Sequence, residues 1–403
     1  VSSTAVRVAT AALAVASTLA ASPARSGDRT AFLGGRLLLG GELSGTIAPE
    51  DEGFFNYNDY ETSTLRLVRI DLMAEARLLP FVSLLFDGRI DNLSDPRVYA
   101  LYLRLRPWRS RDLDLQAGLI PPVFGSFARR RYALDNPLPS LPLAYQYLTT
   151  IREDALPGNA EQLVVQRGRG WLVRYPIGNT AAGPGRPLVN AERWDAGLQA
   201  RIGVRPFSLA LAVTQGTLSH PELEDENGGK QLSARFAWTP VPGFLAGVSA
   251  ASGDFVADTA RAALPDGGGA DEYRQQALGL DLEWSAGHLI LRGEAVFSRW
   301  RLPAVEATRI EDPLDALGLF AEARYKLRPG VYVASRFERL TMAELASSFG
   351  PRGWDAPVTR VEIGAGWSPL RHVLLKASWQ HNWRDGGRVR ENDLVAAQVL
   401  LWY

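Results

Sequence analysis

Beyond residue 34, apolar and polar residues alternate along most of the chain. Val68, Ile70, Leu72, Ala74, Ala76 and Leu78 interleave with Arg69, Asp71, Met73, Glu75 and Arg77. Leu317, Leu319, Ala321, Ala323, Tyr325 and Leu327 interleave with Gly318, Phe320, Glu322, Arg324 and Lys326. A repeat of two places alternate side chains on opposite faces, so these segments are strands, not helices. Very short connectors fall around Pro80, at 107–111, 205–206, 240–242, 286–287, 328–330 and 368–370. Longer polar connectors fall at 48–62, 92–96, 217–229, 254–273, 301–314, 341–357 and 384–392. The two kinds alternate, as in an antiparallel barrel with tight turns at one end and loops at the other. One segment tests the count: Leu163-Val164-Val165 to Trp171-Leu172-Val173 reads as a further strand and would invert every later connector. Taking 121–192 as one long third loop that contains its own hairpin restores the order. The expectation is an all-β, up-and-down antiparallel barrel of about 16 strands with that loop folded inward.

Aromatic residues repeat at one end of the descending strands: Trp238, Trp284, Tyr325, Trp367 and Tyr403. Amphipathic rings settle at a membrane interface, so this row reads as one girdle of a membrane-spanning barrel. The core of a soluble β-sandwich is the competing reading, but it needs no such repetition at one end. The last strand carries Val395, Ala397, Val399, Leu401 and Tyr403 on one face. It resembles the terminal strand of bacterial outer-membrane barrels. That resemblance implies that Val399, Leu401 and Tyr403 form an assembly signal for the barrel-assembly machinery.

Composition narrows the class. The 403 residues carry 44 basic and 44 acidic side chains, which gives no hint of a nucleic-acid partner. After the first few dozen residues, no apolar run approaches the roughly 18 residues a spanning helix needs, whereas a spanning strand needs only about 9–11. There is no Cys, in keeping with an oxidising compartment. Arg7, the apolar run Val8 to Ala21 and Ser22-Pro23-Ala24 read as a secretory signal at 1–24. A short periplasmic lead, 25–33, and the barrel, 34–403, are expected to follow.

Parity assigns many charges to the inner face. Among them are Arg69, Arg77, Arg104, Arg201, Arg235, Arg292, Arg324, Arg336 and Arg360, with Asp71, Glu75, Asp87, Glu294, Glu322 and Glu362. An Arg facing lipid at the midplane costs about 2–4 kcal/mol, so these side chains must meet water or one another. A barrel this wide leaves an aqueous channel. The expectation is therefore a porin for passive diffusion of small hydrophilic solutes, without a cofactor. The third loop carries Arg129, Arg130, Arg131, Arg152, Arg167, Arg169 and Arg174 as candidate constriction residues. Clustered in the pore they would favour anions; paired with lumen carboxylates they would not. The loop opens with Gly118-Leu119-Ile120-Pro121-Pro122-Val123-Phe124-Gly125, which resembles the strand-to-loop motif of the phosphate-selective porin O/P-like family. The lysine ladder by which that family holds phosphate has no counterpart in this sequence.

Other chemistry is thinly supported. The four His (His220, His288, His372 and His381) have no Gly-x-Ser-x-Gly nearby, which weakens an outer-membrane hydrolase as the alternative. The acidic run Glu222 to Gly228 lacks the spacing of a calcium loop. A closed structural or adhesive barrel is a third reading. The expected partners are outer-membrane lipid and lipopolysaccharide, the latter through outward Arg274, Arg299 and Arg339. A homotrimer would pack through the glycine-rich first strand (Gly34, Gly35, Gly40, Gly41, Gly45).

Overall fold

The computed structural model describes residues 29–403 apart from 59–61, 109–111, 131, 265–272, 304–309 and 311–312. The proposed signal at 1–24 lies outside the described residues, as does Arg131. Sixteen long strands close into one antiparallel barrel, and a short N-terminal strand, Thr30–Phe32, joins the same sheet. In chain order they are β1 (Leu37–Ile47), β2 (Leu67–Leu79), β3 (Val82–Asp91), β4 (Ser94–Leu105), β5 (Asp112–Ile120), β6 (Asp195–Val204), β7 (Phe207–Thr214) and β8 (Gln231–Trp238). The second half comprises β9 (Phe244–Asp254), β10 (Arg274–Ala286), β11 (Leu289–Trp300), β12 (Leu314–Arg328), β13 (Val331–Met342), β14 (Val358–Leu370), β15 (Val373–Arg384) and β16 (Glu391–Trp402). Each pairs with its sequence neighbour, and β1 pairs with both β2 and β16, which closes the ring.

The N-terminal strand pairs with β1 from Thr30↔Leu39 to Phe32↔Leu37, just beyond the Glu42↔Trp402 pair. It therefore takes up the edge of β1 where β16 runs out. A tight turn at Leu33–Gly35 joins the two, with Gly34 at φ +65 and Gly35 at φ +83. The barrel strand thus starts at Leu37, three residues later than expected.

Two connectors differ from the sequence reading. The connection between β3 and β4 is not a long loop but the two residues Asn92 and Leu93, at φ 50 and 60. Both dihedrals are positive, as in the mirror-image turn that matches the twist of paired strands. The last tight turn falls at 371–372, beyond the predicted 368–370, because β14 continues through Pro369 to Leu370 across a register shift.

Alternation holds around the wall. Outward Leu, Val, Phe and Trp side chains on nearly every strand are exposed, forming a continuous apolar belt. Trp238, Trp284, Tyr325 and Trp367 are exposed near the tight turns. On the inner face, cross-strand register produces a row of alternating charge: Glu283 opposite Arg292, Arg292 opposite Glu322, Glu322 opposite Arg336, and Arg336 opposite Glu362. Directly opposed residues on one sheet face are close enough to pair. The row is the sheet's way of neutralising charges that share a face.

Candidate functional site

The third loop, 121–194, enters the barrel and is held on opposite walls. Its entry depends on two glycines of the Gly118–Gly125 motif. Gly118 has φ +127, and a side chain there would strike the Leu101 carbonyl. Gly125 has φ +59, and a Cβ would occupy the place of the Glu294 carboxylate. That carboxylate, projecting inward from β11, accepts the backbone N–H groups of Ser126 (3.0 Å) and Phe127 (3.1 Å), the Ser126 hydroxyl (3.1 Å) and the Tyr145 hydroxyl. Phe124 lies against Gly279 of β10 in the space a side chain there would fill.

Across the lumen, Glu42 of β1 accepts the N–H groups of Ala133 (2.8 Å) and Leu134 (3.0 Å). Lys376 of β15 donates to the carbonyls of Ala133 and Asn136, both at 2.6 Å. Farther along, Arg336 donates to the Ser140 carbonyl (2.9 Å) and Arg360 to that of Leu141 (3.2 Å), while Leu143 N–H donates to Glu338 (2.5 Å). The loop's exit is fixed by Glu192, which receives Arg69 (2.8 Å) and Arg89 (3.0 Å) from β2 and β3. Asp87 accepts from the Tyr132 hydroxyl at 3.1 Å. Polar backbone that turns inside a barrel needs such partners, and the inward charges supply them.

Inside the loop, the strand-like run Leu163-Val164-Val165 belongs to a short helix, Ala160–Val165, capped by the Asn159 side chain accepting from Gln162 N–H. Burial of Leu163 and Val164 in the loop core outweighs the strand preference of valine. The loop's own ladder is smaller, Ala155–Leu156 with Ile177–Gly178.

An apolar core fills the loop end of the lumen. It joins Phe127, Tyr145, Leu163 and Tyr175 of the third loop to Phe55, Phe255 and Trp354 from other connectors, to Trp300 at the end of β11, and to inward Ala277, Val296, Leu340 and Val358. On the β13–β16 wall, Arg336, Glu338, Arg360, Glu362, Gln380 and Asn382 are fully buried. Arg336 contacts Glu322 (3.3 Å), Glu338 (2.9 Å) and Glu362 (2.9 Å). Asp71 accepts from Arg89 (2.8 Å) and Asp91 from Arg69 (2.7 Å).

Nearer the tight turns, on β2 to β12, the inner face carries further ion pairs, of which Arg77 and Glu283 are the more exposed members. Arg104 shares Glu75 with Arg29 and Arg77, at 3.0, 3.0 and 3.6 Å. Arg235 pairs with Asp281 (2.6 Å) and Arg292 with Glu283 (2.8 Å). Arg130 reaches into the same region, 3.7 Å from Glu283 and 3.8 Å from Glu322, with its Nη1 buried and making no hydrogen bond. Arg201 and Arg324 make no ion pair among the described residues, and Arg324 lies over the Tyr332 ring at 5.6 Å.

The loop arginines do not form one cluster. Arg152 is buried against Asp154 (2.9 Å) and the carbonyls of Val173 and Ala181. Arg167 reaches the Asp385 carbonyl (3.2 Å) in the last loop, and Arg169 and Arg174 are exposed. The helix and turns between 160 and 174 carry these three away from the Glu283–Glu322 row, which Arg130 approaches. The side chain of Arg129 lies outside the described residues. Parity assigns Glu42, Lys376 and Glu338 to the inner face, but their role as anchors of the third loop was not legible in sequence. Outward Arg274 and Arg299 each bind a neighbouring carboxylate, and Arg339 binds Thr359.

A second cluster joins the third loop to the connector after β7. Glu153 pairs with Arg186, and His220 Nε2 lies 3.8 Å from Glu153 and 3.7 Å from Glu222. Burial pushes the His220 imidazole down to about 4 and the Glu222 carboxyl up to about 7. Burial also opposes ionisation of Glu153, but Arg186 and His220 prevail and hold it at about 2.

A closed barrel with an apolar outer belt, a charged interior and an inward third loop is a transmembrane barrel of the bacterial outer-membrane type. Known structures share the fold. One is a loop-deletion mutant of OmpT, an outer-membrane protein of Vibrio cholerae, at 9% identity and TM-score 0.52, covering 91% of this chain and 99% of that one. Salmonella typhi OmpF, solved with daunomycin, is similar at 12% identity and TM-score 0.52, covering 91% and 97%. The outer-membrane channel DcaP of Acinetobacter baumannii is similar at 12% identity and TM-score 0.50, also covering 91% and 97%. No family model matches the chain, and no curated protein matches its sequence.

Proposed function

We propose that this chain is an outer-membrane channel, not an enzyme, through which small hydrophilic solutes diffuse with a preference for anions. The observation that carries the reading is the pair of inward guanidinium groups without an ion-pair partner among the described residues, Arg201 and Arg324, the latter over the Tyr332 ring. Guanidinium does not lose its proton in proteins, so this surplus is permanent. A low-dielectric wall focuses its field and raises the local concentration of anions. The Gly118–Gly125 motif supports likeness to phosphate-selective porins in how the loop enters, while specificity for phosphate has no lysine ladder to rest on. Export through the periplasm, recognition of Val399, Leu401 and Tyr403 by the assembly machinery, and trimerisation through the glycine-rich first strand belong to the same reading. One neighbour, OmpT of Vibrio cholerae, is described in a trimer form.

The packed extracellular half favours a second reading, a closed barrel that conducts only when the loops separate. Planar-bilayer recording under a salt gradient tests both. Stepwise conductance with an anion-selective reversal potential is expected, and the R201Q/R324Q double variant should move that potential toward zero. Cation preference would overturn the role given to the arginines, and silence would support the closed barrel.

A further inference from the structure

The carboxylates and cations that hold the third loop project from β1 to β3, β11 and β13 to β15. The inner face of β5 to β7 is built differently. Register places Gln116, Gln199 and Ala212 side by side, with Arg201 and Ala210 one step nearer the tight turns. Asp114 stands opposite Arg201 in register, but Arg106 donates to it at 3.1 and 3.0 Å. Arg201 is thereby left without an ion-pair partner among the described residues. Gln116 donates to Asp114 at 3.1 Å, yet its own carbonyl oxygen is buried with no donor among the described residues. The same holds for Gln199, whose carbonyl oxygen is likewise buried and unpaired and whose side chain is only 5% exposed. Elsewhere on the inner wall such amides are fully spent. Gln275 accepts from Ser219 and donates to Leu188 and Ser298, and Gln380 both accepts from and donates to Asn56.

Beside the amides, Ala210 and Ala212 belong to one apolar cluster with Tyr102 and Trp194. A free guanidinium, two adjacent amides and an apolar flank match one kind of solute. We propose that this wall binds hydroxylated carboxylates of the sugar-acid type. The carboxylate sits on Arg201, the hydroxyls on the Gln116 and Gln199 amides, and the C–H face of the solute lies toward the apolar cluster. A primary amide turns about its last torsion to offer either oxygen or N–H, which suits a hydroxyl, itself donor and acceptor. A buried carbonyl oxygen without a donor is unfavourable, and a solute hydroxyl removes that penalty. Chloride or a plain carboxylate engages Arg201 alone and leaves the two oxygens as they were. The inference deepens the channel reading and rests on it for how solute reaches this wall.

The test measures binding apart from conduction, by saturation-transfer NMR titration of the full barrel in nanodiscs. Glucuronate, acetate and glucose are the probes: the second lacks hydroxyls and the third lacks the carboxylate. Glucuronate should bind about tenfold more tightly than either, the worth of roughly two hydrogen bonds or one charge-assisted pair. Q116L/Q199L should weaken glucuronate about tenfold and leave acetate unchanged, whereas R201Q should weaken glucuronate and acetate alike. Heat-modifiable gel mobility checks that each variant folds, and Q199L alone, with a smaller loss expected, serves if the double variant does not. Acetate or glucose binding as tightly as glucuronate overturns the site. So does a folded Q116L/Q199L or Q199L barrel that binds glucuronate like the parent. Silence in planar bilayers together with the expected binding pattern would refute the channel and keep the site. Anion-selective conductance without that pattern would keep the channel and remove the site.

Discussion

Replacing Glu294 by Ala should release the tip of the third loop without opening the barrel. The Glu294 carboxylate satisfies two backbone N–H groups, a serine hydroxyl and the Tyr145 hydroxyl, in a place with little or no water. Leaving a buried donor unpaired costs about 1–3 kcal/mol, so losing three or four at once costs on the order of 3–6 kcal/mol once partial relaxation is allowed. About 4 kcal/mol shifts the docked-to-undocked ratio roughly a thousandfold. The strand ladder of β11 is untouched, because the lost bonds all run to the loop. Residues 143–175 stay in the apolar core; the segment 125–130 keeps only its Phe127 and Ala128 contacts there, so it is the part that loosens and lets Arg130 move away from Glu283 and Glu322. Single-channel recording should show larger, noisier conductance, and limited proteolysis should cut near Arg129 and Arg130. E294Q keeps one acceptor oxygen and should fall between the two. Wild-type conductance with a protease-resistant loop in E294A would refute the anchoring argument.

Other outcomes follow from the same geometry. R336M should destabilise the folded barrel by about 3–5 kcal/mol, because Glu322, Glu338 and Glu362 lose their shared cation while buried; urea titration of heat-modifiable mobility measures it. Packing of the third loop on the connector after β7 should depend on pH through opposing groups. Between about 4 and 6.5 the folded state binds fewer protons at His220 than the unfolded chain, so His220 favours the folded state more as pH rises; between about 4.5 and 7 the raised Glu222 does the reverse. Hydrogen exchange in 215–230 should therefore be nearly flat from pH 5 to 6.5 in the parent. In E222Q, protection should rise with pH, and a parent-like flat profile would contradict the assignment. G41V should impair assembly much as deletion of Tyr403 does, because the Tyr403 ring lies 2.9 Å from where a Gly41 Cβ would sit; the folded fraction in membranes reports it.

Much of the wall was legible because a two-residue repeat is a local property. Parity identified Glu322, Arg336 and Glu362 as inward without knowledge of any partner. The interior was less legible, because loop residues obey no period. Leu163-Val164-Val165 looks the same whether it forms a strand or a helix turn, and only its neighbours in the loop core decide. The arginines of the third loop share a composition but not a direction. Arg152 bends inward to Asp154 and Arg169 faces solvent, a difference set by turns that single residues do not announce. Aromatic residues in connectors, such as Phe55, Phe255 and Trp354, were the overlooked signal. Large rings in a polar loop imply that the loop has a core of its own.

That core has a consequence for the order of events in assembly. Phe55 comes from the first connector and Trp354 from the one before β14, and Asn392 of β16 donates to Asp51 at 3.0 Å. The third loop supplies many of its members, but the others come from connectors far apart in sequence, and contacts so distant must wait until chain ends meet. The ring therefore has to close before its filling can set. Until β16 reaches β1, the nascent protein is an empty vessel, and the last residues to arrive decide when it becomes a stoppered one.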